Sequence, residues 1–160
     1  MRKRLIYIRY RLNNKGFTLV EVLITIAVLS ILMVGVLALI NPVSEVKKGL
    51  DAKRKSDLAQ IQRLLELYYH DNGEYPSSLP FGDSWDTYSN QLPNDPSHPK
   101  KYAYRSEGQS YYLYASLDQG ASDKSVCKSD GTRCDNATGL SCGESTDICN
   151  YGVSSSNALP

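Results

Sequence analysis

Between Phe17 and Ile40 the chain runs for 24 residues with Thr18, Glu21, Thr25 and Ser30 as its only polar members, and no Lys or Arg occurs from Gly16 to Val46. As a helix this run would extend about 36 Å, enough to cross a bilayer core of about 30 Å. A 160-residue chain has too little else to cover every face of such a helix, so a membrane span is expected. One carboxylate, Glu21, sits inside it. At the bilayer centre a carboxylate costs roughly 2.5–3.5 kcal/mol, and less near the interface, so Glu21 needs a partner or a purpose.

The charges on either side orient the span. Six of the 18 Lys and Arg (Arg2, Lys3, Arg4, Arg9, Arg11, Lys15) fall in residues 1–16 without an acid, leaving 12 against all 17 Asp and Glu, a basic head of +6 on a body of −5. A nucleic-acid-binding domain would carry its basic residues on the folded part, so direct nucleic-acid binding is not expected. The basic flank matches the positive-inside rule: a single pass through the plasma membrane, N-terminus cytoplasmic, the body outside. The apolar run exceeds the 7–15 residues of a secretory signal, and no small-residue cut site follows Ile40. Gly16 precedes the run. A cut there would remove the leader and keep the helix.

Cys127, Cys134, Cys142 and Cys149 all lie in the last 34 residues, separated by 6, 7 and 6 positions. Outside the cytoplasm disulfides persist, and the gaps do not suit the close Cys pairs of structural zinc. Two disulfides are expected, with three connectivities open.

After the span, Asn41-Pro42 should break the helix, because proline lacks an amide donor and crowds the preceding turn. Helical periodicity then resumes: Val43, Val46, Leu50, Leu58, Ile61, Leu65 and Tyr68 form one stripe, opposite a face with Lys47, Lys48, Lys53, Arg54, Lys55, Gln60, Arg63 and Glu66 that reads as solvated. Asn72-Gly73 supplies a left-handed stop. Glu74–Lys101, with five prolines, reads as a loop anchored by Phe81, Trp85 and Tyr88. Lys101–Ser106 and Ser110–Leu117 flank Glu107-Gly108-Gln109 as a β-hairpin, with Tyr111, Leu113, Ala115 and Leu117 facing the helix. The remainder is polar and turn-rich, should depend on its disulfides, and is expected to fray from about Gly152. The fold class is α+β: a long N-terminal helix, membrane half plus amphipathic half, packed on a small antiparallel sheet, with a Cys-rich loop tail.

Gly16-Phe17-Thr18-Leu19-Val20-Glu21 followed by Val-Leu-Ile-Thr-Ile-Ala resembles the class III signal of type IV pilins and type II secretion pseudopilins. Lys53-Arg-Lys-Ser-Asp-Leu-Ala-Gln-Ile-Gln, Leu67-Tyr-Tyr-His-Asp-Asn-Gly-Glu-Tyr-Pro76, Asp95-Pro96 and the tyrosine-rich hairpin are similar to G-type major pseudopilins and related bacterial pilins. The resemblance covers residues 10–118. It implies a prepilin peptidase cut after Gly16, N-methylation of the new N-terminus at Phe17, and a role for Glu21 in guiding subunits into a filament. It also implies the partners: prepilin peptidase, other pilin or pseudopilin subunits in a homopolymer, and an inner-membrane assembly platform. Two features depart from the family. The leader is longer than in many short-leader pilins, and Pro42 stands four residues beyond the familiar proline position, occupied here by Ala38.

The expected organisation is a leader (1–16), a transmembrane assembly helix (17–41), a pilin-like head (42–118) and a Cys-rich polar tail (119–160). Physical reasoning supports the reading of Glu21. Cleavage gives Phe17 a free amine, which reaches its own fifth residue poorly but can meet Glu21 of a neighbouring subunit. No cofactor is expected, although G-type pseudopilins often hold calcium near the end of their sheet. Asp118, Ser122 and Asp123 fall in that region with an incomplete motif. No nucleophile elbow, phosphate-binding loop or His/carboxylate metal cluster is present, so the chain is not expected to be an enzyme. The function expected is a structural subunit of a type IV pilus-like or type II secretion-like filament. The alternatives are a minor pilin or tip adhesin, and a single-pass membrane-anchored binding protein that does not polymerise.

Overall fold

The computed structural model describes residues 16–39, 41–156 and 160, so the basic leader up to Lys15 and the end of the apolar run at Ile40 lie outside the described residues. The chain divides into two compact units, residues 1–42 and 43–160.

The first unit contains α1, Leu19–Leu39. Its start is fixed locally: the Glu21 amide donates to Thr18 Oγ1 (3.2 Å) and the Val22 amide to the Thr18 carbonyl (3.2 Å). Thr18 thereby caps orphan donors of the first turn. From Leu19 to Val36 the helix has a mean hydropathy of 2.7 and no buried residue, so it is apolar on every side rather than on one stripe. Thr25 and Ser30 return their hydroxyls to the carbonyls of Val22 and Ala27 at 2.8 Å each. That pattern satisfies a hydroxyl where no water is at hand. With 21 residues α1 is about 31 Å long, the thickness of a bilayer core.

A new helix, α2, begins at Pro42 and ends at Asn72. The expected break at Asn41-Pro42 is present, and Pro42 takes the first helical position, where its missing amide costs nothing. Gly73 stops the helix at a φ of 77°, its amide bonded to the Tyr69 carbonyl at 2.8 Å. Three strands follow: β1 (Ala103–Ser106), β2 (Tyr111–Ala115) and β3 (Tyr151–Ser154), forming an antiparallel sheet in the order β1-β2-β3. The hairpin β1–β2 pairs Ala103 with Tyr114 and Ser106 with Tyr111. The fold is therefore α+β, with a helix packed on a small antiparallel sheet. The reading of residues from Gly152 as frayed is corrected: Tyr151–Ser154 is an edge strand, with Val153 opposite Leu113 and Gly152 opposite Tyr114.

The core lies between α2 and β2. Leu58, Ile61 and Leu65 meet Tyr111, Leu113 and Ala115, with Tyr75, Trp85, Leu92 and Tyr102 closing the sides. Full burial of each aliphatic side chain is worth roughly 1.5–3 kcal/mol. Tyr68 stacks on Trp85 (5.4 Å) and tilts against Tyr88 (5.2 Å), so the proline-rich loop is anchored where its aromatics reach the helix. Val43 and Val46, at the start of the stripe, stay exposed.

The outer face of the sheet is covered too. Tyr114 packs with Ala103, Cys134, Ala137, Cys142 and Cys149. Disulfides join Cys127 to Cys134 and Cys142 to Cys149, both between sequence neighbours. The Cys-rich segment is thus a second layer rather than an appendage. Gly152 is required there, since a Cβ at that position would lie 2.5 Å from the Tyr114 ring.

Burial raises the phenols of Tyr75, Tyr104 and Tyr114 to about 12, for Tyr75 with help from Glu66. Below pH 10 these groups are neutral in both the folded and unfolded chain. Above it the unfolded chain ionises first, so stability should fall between pH 10 and about 12. A tyrosinate absorbance titration of the intact chain should show a late phase coinciding with loss of near-UV circular dichroism; a single phase near pH 10 with the fold retained would contradict this. Tyr114 Oη is buried without a hydrogen-bond partner among the described residues. An unmet hydroxyl costs about 1–3 kcal/mol, so Tyr114→Phe should leave stability unchanged or raise it by about 1 kcal/mol in urea unfolding.

Candidate functional site

Two places in the chain concentrate chemistry. The first is the start of α1. Gly16 and Phe17 precede the helix and are exposed, and among the described residues nothing lies within 4 Å of the position a Gly16 Cβ would take. Glu21 stands on the first turn of α1 and is exposed, with no hydrogen bond or ion pair of its carboxylate among the described residues. Leu19, Val20, Val22, Leu23 and Ile24 surround it on the helix, each at least 49% exposed. The arrangement is therefore one carboxylate on an otherwise apolar, uncovered rod. The macrodipole at a helix N-terminus favours a negative charge within the first turn, which offsets part of its cost in lipid. The cap also has a signature in the sequence, since Thr18-x-x-Glu21 ahead of an apolar run is a capping-box pattern. Thr18→Ala should weaken the start of α1 by about 1 kcal/mol. Hydrogen exchange of the Val20–Val22 amides in detergent micelles should accelerate, with amides from Ala27 onward unchanged; equal rates would mean the cap is not formed.

The second place is a charged seam in the head, where α2 meets the loop and the end of β2. Arg54 is fully buried, which corrects its placement on the solvated face of α2. Its five N–H donors all find acceptors. Nε and Nη2 grip Asp95 at 2.8 and 3.2 Å, Nη1 donates to Asp51 and Asp118 at 2.7 Å each, and Nη2 also donates to Ser97 Oγ. Asp51 then accepts the backbone amides of Asp118 (2.8 Å) and Gln119 (2.9 Å). Lys100 completes the seam, 2.8 Å from Asp118. Burial alone would lower the Arg54 pKa, but Asp95, Asp118 and Asp51 outweigh it and hold it above the ordinary value. Burial likewise opposes the ionised form of Asp118, yet Lys100 and Arg54 bring its pKa below the usual carboxylate value. A neighbouring buried acid repeats the theme: Asp57 accepts Tyr102 Oη at 2.8 Å and Lys53 at 2.6 Å.

The calcium candidates fall around this seam, each already engaged by groups of the chain. Asp118 gives one oxygen to Lys100 and the other to Arg54. Asp123 gives one to Lys55 and the other to the amide and hydroxyl of Ser125, and these hold its pKa down at about 2. Ser122 donates its hydroxyl to the Gln119 carbonyl at 3.1 Å. Calcium gathers 6–8 oxygens, whereas this donor set already has cations and N–H groups at its oxygens, so it does not fit the ion as arranged. Among the described residues no cluster of three or more His, Cys, Asp or Glu suits a metal. The burial of Arg54 does have a sequence signal. It lies four before Leu58 and seven before Ile61, so the helical period places it on the buried stripe.

Residues 11–37 match the family model of the prokaryotic N-terminal methylation motif. No curated protein and no solved structure matches the chain. The match spans the junction at Gly16 and most of α1, and marks this segment as a type IV pilin-like, prepilin-type signal of the kind processed by prepilin peptidase. Together with the apolar helix, it is consistent with a membrane-anchored precursor.

Proposed function

We propose that the chain is a structural subunit, pilin or pseudopilin, of a type IV pilus-like or type II secretion-like filament. Prepilin peptidase cuts it after Gly16, Phe17 becomes the methylated N-terminus, and residues 17–41 form the assembly helix. The head begins at residue 42, and the disulfide-bearing segment from Cys127 to Cys149 clothes the outer face of its sheet. Orientation follows the basic leader: N-terminus cytoplasmic, head outside, where the two disulfides persist.

The observation that carries this reading is the motif match at the head of a helix apolar on every side, with Glu21 as its one charge. Open space around Gly16 supports it as well, since no packing within the described chain requires glycine there. Lipid is as apolar as the helix, so leaving it for a filament core gains little from the hydrophobic effect. Side-chain packing and a Phe17 amine–Glu21 pair between subunits supply direction, the pair setting register more than net stability.

Incubating the full-length precursor with prepilin peptidase should release residues 1–16 and leave Phe17 as the first residue, one methyl group heavier after methyl transfer; an intact leader would defeat the reading. Glu21→Ala should be cleaved normally yet fail to appear in sheared filaments. Normal incorporation of that variant would remove Glu21 from the assembly mechanism while leaving the processing step standing.

A further inference from the structure

We propose that Arg54 is the resident cation of the head, its N–H donors meeting Asp51, Asp95 and Asp118 so that these acids need no divalent ion. The head then keeps its fold without calcium.

Three acids from three separate places in the chain converge here: Asp51 on α2, Asp95 in the loop and Asp118 just beyond β2, each within 2.8 Å of an Arg54 nitrogen. Uncompensated, the buried carboxylates of Asp51 and Asp95 and the partly exposed one of Asp118 would repel one another and oppose folding. Each segment on its own has no reason to approach the others. One guanidinium answers all three, and its planar fork fits Asp95 with two parallel bonds in a way a spherical ion does not. Lys100 supplies a second positive charge at the edge, on the remaining oxygen of Asp118. The seam also ties backbone to side chain, since Asp51 holds the amides of Asp118 and Gln119 at the point where the chain leaves the sheet. Asp118 is one of the residues at which the family resemblance points to calcium. In this chain it is spent on cations that the chain itself carries. The proposal concerns the head alone and does not rest on filament assembly.

The test uses the full chain in detergent micelles. Calcium titrated by calorimetry should show no saturable binding, and the thermal unfolding transition should be the same in excess EGTA and in millimolar calcium. Saturable binding that raises the transition would overturn the proposal. Arg54→Gln should lower the transition by about 10 °C or more. A folded Arg54→Gln chain that unfolds at the original temperature would show that the guanidinium does not hold the three acids together. Should Arg54→Gln fail to fold, the calcium and EGTA comparison on the unsubstituted chain decides the question alone.

Discussion

The head depends on one buried charge. Burying a guanidinium costs several kcal/mol after relaxation, and that cost is recovered only when every donor is met and the counter-charges are close. Arg54 meets both conditions, and in doing so it settles the tertiary arrangement. Apolar contacts between α2 and β2 would tolerate small shifts along the helix. The Arg54 fork does not, because displacing α2 by a turn would leave the buried cation and the buried acids Asp51 and Asp95 without partners. Hydrophobic burial supplies the energy of the head, and the seam supplies its register.

The outer layer extends the same logic by other means. A three-stranded sheet with one covered face would leave Tyr114 and its neighbours in water. Two short disulfide loops fold a polar sequence over that face and return the chain as β3, beside β2. Asn150 stitches the return, accepting the Leu117 amide at 2.8 Å and donating to its carbonyl at 3.2 Å. Covalent closure stands in for the apolar residues that this segment lacks, and its effect falls mainly on the unfolded chain.

What can be read from the sequence follows from how local each signal is. The membrane-length helix, its break at Pro42, the stop at Gly73 and the β1–β2 hairpin are each written in a few adjacent residues with a definite period or turn, and each is present. The strand β3 escapes such a reading because Tyr151-Gly-Val-Ser154 is short, contains glycine and follows a cysteine-rich turn region. Its pairing is decided some 40 residues away, by the need of Tyr114 for a glycine opposite it. Arg54 is hard to place for a different reason. Its residue type argues for solvent while its position argues for burial, and the acids that decide between the two lie 41 and 64 residues downstream.

The same distinction separates the two charged features of the chain. Arg54 is an internal charge whose partners are all in one molecule, so folding completes it. Glu21 is a charge on an apolar helix that has no partner among the described residues, and in the precursor the nitrogen of Phe17 is an uncharged amide. Among the described residues folding does not complete it. Under the proposed mechanism, cleavage after Gly16 creates the missing cation, and geometry keeps that cation from closing on its own helix. The cost of holding Glu21 in an apolar setting is then relieved only by a second subunit. An expensive carboxylate near a membrane surface becomes a reason for the subunits to meet in one register, and only after the leader has been removed.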